Sequence, residues 1–137
     1  MTDRTTPLVL VADDEEDIRA LVAFRLKRAG YEVITAADGA EALTLATTRL
    51  PDLIVLDMMM PKATGLEVTR SLRGQDSTKD IPVIILTARA QEADVASGFE
   101  AGADDYVKKP FSPKDLQLRV QALLERSPAA SSTASTL

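Results

Sequence analysis

The sequence predicts an α/β domain in which five strands alternate with five helices, a (βα)5 chain folding into a five-stranded, doubly wound parallel sheet. Three observations carry that prediction. Five short apolar runs of strand type recur along the chain, and longer segments of helical period separate them. Four of the five runs are apolar without alternation, as strands covered on both faces must be. The connections are short, which places helices on both faces of a parallel sheet.

Leu8-Val9-Leu10-Val11-Ala12 is the first such run. The helix after it carries Ile18, Leu21, Val22 and Leu26 on one stripe and stops at Gly30. Val33-Ile34-Thr35-Ala36 is the second strand; Gly39 leads into an alanine-rich helix from Ala40 to Arg49, which Pro51 ends. Leu53-Ile54-Val55-Leu56 and Pro82-Val83-Ile84-Ile85-Leu86 are the third and fourth strands, with a helix near Leu66 to Arg73 between them. A fourth helix is expected from Gln91 to Ala101 and a short fifth strand at Tyr106-Val107-Lys108. Ser112-Pro113-Lys114-Asp115 opens the last helix with a cap, a first-turn proline and an acid three residues on. Its stripe is Leu116, Val120, Leu123 and Leu124.

A chain of 137 residues is long enough to bury one real core. We place that domain at 1–126 and read 127–137, all Ser, Thr, Ala and Pro up to the final Leu137, as a disordered tail or linker stub. The net charge of -5 argues against non-specific nucleic-acid binding, which asks for a basic stripe. No apolar run approaches membrane length and the start is polar, so a cytoplasmic protein is expected. The chain has neither cysteine nor histidine. Thiol chemistry, imidazole ligands and a histidine base are thereby excluded, which leaves carboxylates, hydroxyls and lysine.

In an open parallel sheet, ligands sit beyond the carboxyl ends of the strands. There the first strand delivers Asp13 and Asp14, the third Asp57, the fourth Thr87 and the fifth Lys109. Each has a plain reading alone. Asp13 to Asp17 suit a helix start, Asp57 a turn, Thr87 a cap and Lys109 a solvated surface. Their coincidence at one edge favours a site. Crowded carboxylates need cations to stay ionised, and Mg²⁺ suits a few carboxylates, waters and a phosphate oxygen. A carboxylate can also attack phosphorus to give an aspartyl phosphate, with lysine and hydroxyl neutralising charge.

Asp13-Asp14 after the first strand, Leu56-Asp57-Met58-Met59-Met60-Pro61 with Gly65, Thr87-Ala88, and Gly102-Ala103-Asp104-Asp105-Tyr106 through Lys109-Pro110-Phe111 together resemble the receiver domains of response regulators in two-component signalling. The likeness covers Leu8 to Glu125. It implies a flavodoxin-like fold with strand order 2-1-3-4-5. It further implies that Asp57 is the phosphoacceptor for a partner histidine kinase or phosphotransfer protein. Mg²⁺ would be held by Asp13, Asp14, Asp57 and the Met59 backbone carbonyl. Thr87 and Lys109 would bind the phosphoryl group, Thr87 and Tyr106 would form the switch, and Met59 and Arg89 would tune hydrolysis. The Lys109-Pro110 bond is expected to be cis.

The stretch from Lys109 to Leu116 resembles the receivers of winged-helix (OmpR/PhoB-type) regulators, which implies a readout face on the fourth helix, fifth strand and fifth helix. It also implies a phosphorylation-dependent homodimer, with Asp104 or Asp105 and Arg119 at its interface. Val95, Ala96 and Ser97 stand where those relatives carry basic residues, and Gln121 where they repeat an arginine. No room remains for a DNA-binding helix-turn-helix after Arg126, so either a stand-alone receiver acting on a downstream protein effector, the favoured expectation, or a domain cut from a longer regulator is expected.

Three other readings compete. A phosphatase with an aspartate nucleophile would place that nucleophile after the first strand with an acid two residues on, whereas Met59 follows Asp57 at that spacing. We therefore expect a signalling domain rather than an enzyme with turnover. A flavodoxin-like cofactor binder would need a phosphate loop where Asp13 to Glu16 would repel one. An inert receiver-like scaffold would lack one of the five site residues.

Overall fold

The computed structural model describes residues 5–88, 96 and 99–126. Five strands form one parallel sheet: β1 Leu8–Ala12, β2 Glu32–Ala36, β3 Leu53–Asp57, β4 Val83–Thr87 and β5 Asp105–Lys108, in the order β2-β1-β3-β4-β5. Helices α1 Glu16–Arg28, α2 Gly39–Arg49, α3 Gly65–Arg73 and a last helix, Pro113–Glu125, connect and flank them. The predicted class and strand order are both observed. The fourth helix expected from Gln91 to Ala101 falls mostly outside the described residues, as do Arg89 and the tail at 127–137.

Strand alternation divides the interior in two. Leu10, Ala12, Ile54, Leu56, Val83 and Ile85 face α2 and α3, where Ala42, Ala46, Val68 and Leu72 meet them. Val9, Val11, Leu53, Val55, Ile84 and Leu86 face α1 and the last helix, meeting Val22, Leu26, Leu116, Val120 and Leu123. The alanines of α2 let its backbone lie close to the sheet. Burying a Leu, Ile or Val side chain is worth roughly 1.5–3 kcal/mol, so these two layers dominate the stability.

One expected core position is corrected. Leu21 is 46% exposed, while Val22, Ala23 and Leu26 are buried. At about 100° per residue, Ile18, Val22 and Leu26 share a narrow arc, and Leu21 lies off its edge.

Local signals set the helix ends. Beyond α1, the Gly30 N–H donates to Lys27 O at 3.0 Å and the Tyr31 N–H to Leu26 O at 3.1 Å. This paired closure needs a left-handed residue, and Gly30 supplies it with φ +100. Ser112 Oγ accepts from the Asp115 N–H at 3.2 Å, so the cap read for the last helix is in place. A second cap went unread: Thr64 Oγ1 accepts from the Glu67 N–H while Glu67 Oε1 accepts from the Thr64 N–H, a reciprocal box that opens α3.

At the opposite pole from the strand ends described next, Arg73 ties four points together. Its guanidinium donates to Gly102 O at 3.0 Å, Lys79 O at 3.0 Å, Ile81 O at 2.7 Å and Asp104 Oδ2 at 3.0 Å. Asp104 Oδ2 also accepts from the Val83 N–H at 2.9 Å. This knot fixes where β4 and β5 enter the sheet.

Candidate acidic site at the strand ends

β1 and β3 are neighbours although β2 lies between them in sequence, so the strand order reverses beside their carboxyl ends. Ala12 pairs with Leu56, and the next residue on each strand is therefore an aspartate, Asp13 beside Asp57. Asp57 in turn pairs with Leu86, which brings Thr87 to the same edge. Thr87 pairs with Lys108, placing Lys109 one step beyond it. The sheet register alone collects the four chain segments. Lys109-Pro110 is cis, as expected.

The side chains converge. Carboxylate oxygens of Asp13, Asp14 and Asp57 all lie within 4.8 Å of one another. Asp13 is fully buried, Asp57 nearly so, and Asp14 is exposed. Lys109 Nζ reaches Asp13 Oδ2 at 3.1 Å, Asp57 Oδ1 at 3.2 Å and Glu15 Oε1 at 3.2 Å. Asp13 Oδ1 accepts from the Glu15 N–H at 2.9 Å, and the Arg19 guanidinium caps Asp13 O at 2.8 Å.

Burial pushes the Asp57 carboxyl up to about 7, and the nearby Asp13 charge pushes the same way. Lys109 pulls it down only in part, and the contact with Asp14 raises it further. Burial would lower the Lys109 ammonium, but its pairs with Asp13 and Asp57 outweigh that and raise it. Three acids thus share too little positive charge. Hard oxygen donors at this spacing fit a hard divalent cation.

Thr87 is buried at the edge of this cluster. Tyr106 is half-buried, pairs with Ile85, and packs on the α2/α3 side of the sheet, the face that Ile85 and hence Thr87 share. Its ring centroid lies 6.3 Å from that of Phe99. Met59 follows the β3 end and is 60% exposed, and Arg89 lies outside the described residues. Asp105 and Arg119 pair within the chain through two contacts of 3.0 Å, and Arg119 also holds Asp115.

Two participants were missed in the sequence. Glu15 reads as one more acid at a helix start, yet its side chain makes no cap bond and goes to Lys109 instead. Arg19 reads as part of the polar face of α1. Only its place in the second turn of α1, six residues after Asp13, hints at the contact.

The profile of the response regulator receiver domain matches residues 9–121. The chain is 52% identical over 122 residues to the alkaline phosphatase synthesis transcriptional regulatory protein PhoP of Bacillus subtilis, covering 89% of this chain and 50% of that protein. It is 44% identical over 119 residues to the phosphate regulon transcriptional regulatory protein PhoB of Pseudomonas aeruginosa, covering 87% and 52%. The chain therefore spans about half the length of the curated relatives it matches. Among solved structures, the receiver domain of the Francisella response regulator 1452 superposes with a TM-score of 0.84 at 40% identity, covering 88% of this chain and 98% of that one. With the acidic cluster at the switch point, the sheet order and the profile in agreement, the chain belongs to the family of response regulator receiver domains of two-component signalling.

Proposed function

We propose that the Asp57 carboxylate accepts a phosphoryl group. One observation carries this reading most directly: a nearly buried carboxylate at the sheet's switch point has a lysine ammonium 3.2 Å away and two further carboxylates beside it. A carboxylate oxygen of Asp57 attacks phosphorus, the bond from phosphorus to the leaving group breaks, and the leaving group keeps the electron pair. With its carboxyl raised to about 7, Asp57 is only partly ionised at neutral pH until extra positive charge reaches it. Asp13, Asp14, Asp57 and the Met59 carbonyl would hold Mg²⁺. That ion would favour the ionised acids and screen the phosphoryl oxygens.

Lys109 holds a phosphoryl oxygen as a point charge, and the buried Thr87 hydroxyl turns to another. Tyr106, on the same face, follows Thr87 and changes the surface around β5 and the last helix. Met59 and Arg89 shield the group from water. By likeness to the family, the donor is a histidine kinase or phosphotransfer protein; the chain has no histidine of its own. The receiver occupies 1–126, works in the cytoplasm, and catalyses only its own gain and loss of phosphate. Its output passes to a protein effector. The relatives named as transcriptional regulators are consistent with an effector that acts on transcription. Among the described residues, no helix is long and apolar enough to cross a membrane.

A phosphorylation-dependent homodimer through β5 and the last helix is a second reading, with Asp105 and Arg119 on that face already paired within the chain. It requires this pair to open or to be shared with a second copy. An unchanged sedimentation profile on activation would remove it.

Intact mass after incubation with acetyl phosphate tests the acceptor reading. A single phosphoryl adduct that needs Mg²⁺ and disappears in Asp57→Ala supports it. A folded wild type that takes no adduct overturns it.

A further inference from the structure

We propose that Glu15 is a positioning residue that competes with the phosphoryl group for Lys109, and so restrains phosphorylation. The inference rests on the phosphoacceptor reading of Asp57 and goes beyond it.

An ammonium has three N–H donors. Lys109 donates hydrogen bonds to Asp13 Oδ2 at 3.1 Å and Glu15 Oε1 at 3.2 Å, and stands 3.2 Å from Asp57 Oδ1 as an ion-pair partner. Phosphorylation turns Asp57 itself into an acyl phosphate, and its ion pair with Lys109 passes to the phosphoryl oxygens; for the ammonium to draw closer to them, one of the other two carboxylates must also give way. Asp13 is fully buried, and leaving its charge unpaired is costly. Glu15 has a side chain 61% exposed, so water replaces the lost contact at little cost. Glu15 is the exchangeable partner.

Its placement is not that of an incidental surface acid. Glu15 is the N-cap residue of α1, but its carboxylate makes no cap bond there. Its backbone N–H is committed to Asp13 Oδ1 at 2.9 Å. The three residues thus close a ring, with the Glu15 backbone on Asp13, the Glu15 side chain on Lys109, and Lys109 back on Asp13. The ring holds Lys109 ready beside Asp57 and keeps a fourth carboxylate next to the incoming anion.

The test compares initial rates of phosphorylation by acetyl phosphate for wild type, Glu15→Gln and Glu16→Gln, each at saturating Mg²⁺. Glu16 carries the same charge in the first turn of α1 but lies outside the Lys109 ion-pair set. Glu15→Gln is expected to react about two- to fivefold faster at low salt, the equivalent of one exposed ion pair. That advantage should shrink towards 1 M salt, where screening acts over about 3 Å. Glu16→Gln should stay near wild type. Equal rates for wild type and Glu15→Gln, or equal gains in both variants, would overturn the competition. A wild type that takes no phosphoryl group would overturn the acceptor reading, and the inference with it.

Discussion

Asp13 Oδ2 and Lys109 Nζ lie 3.1 Å apart, joined across 96 residues of chain and drawn from opposite ends of the sequence. Asp13 is fully buried and the Lys109 side chain only 12% exposed. The pair fastens the end of β1 to the segment after β5, although β3 and β4 lie between those strands. It also sets the ammonium against Asp57.

Lys109→Met should therefore cost stability as well as chemistry. Removing one partner of a buried ion pair strands the other, typically at about 3–5 kcal/mol. Urea unfolding at neutral pH should show that loss, and adding Asp13→Asn to Lys109→Met should recover part of it. A single variant as stable as wild type would show that Asp13 does not depend on the ammonium.

Asp57 gives the fold a defined response to pH. Its folded carboxyl is raised to about 7 from the ordinary 3.8, so between those values the folded chain holds a proton that the unfolded chain has lost. The site's contribution is complete below about pH 3.8, falls as the pH rises, and is lost once the pH passes about 7. In metal-free buffer, Asp57→Asn should match wild type near pH 4 and exceed it by roughly 1–3 kcal/mol at pH 7.5. Parallel stability profiles for the two proteins would contradict the crowding of these acids.

A divalent cation should reverse that penalty. Mg²⁺ at a hundredfold excess over its dissociation constant should stabilise the wild type by about 2.7 kcal/mol, by mass action alone. Asp13→Asn should abolish most of the increment. Thermal unfolding in EDTA and in Mg²⁺ reads both effects, and an equal rise in the variant would place the ion elsewhere.

The loop after Asp57 is held by close backbone contact. A Cβ on Gly39 would stand 2.1 Å from Ala63 O and 2.7 Å from Ala63 C, both backbone atoms. The Gly39 N–H also donates to Pro61 O at 3.1 Å. Gly39→Ala should destabilise by about 1–3 kcal/mol, despite alanine's better helix propensity. A urea midpoint at or above wild type would show that the loop yields without cost.

Much of this was legible in the sequence because two periods and one rule suffice. Unbroken apolar runs mark buried strands, and a sheet of parallel strands must expose its chemistry at their carboxyl ends. Asp13, Asp57, Thr87 and Lys109 stand out for that reason. Periodicity does not set strand order, so β2-β1-β3-β4-β5 came from family likeness. Nor does a four-residue stripe set its own width, and Leu21 stands at the edge of the α1 arc, where only the packing decides that it is exposed. Side-chain choices driven by distant partners leave even less trace. Glu15 abandons its cap for Lys109, and three of the four Arg73 partners are backbone carbonyls, which no residue type announces.

The central claim is that Asp57, rather than a neighbouring acid, becomes the acyl phosphate. Reduction with borohydride after phosphorylation converts an aspartyl phosphate to homoserine, and peptide sequencing then locates it. Homoserine at position 57 alone is the predicted result. Homoserine at position 13 or 14, or none from a protein that carries a phosphoryl group, would contradict the account.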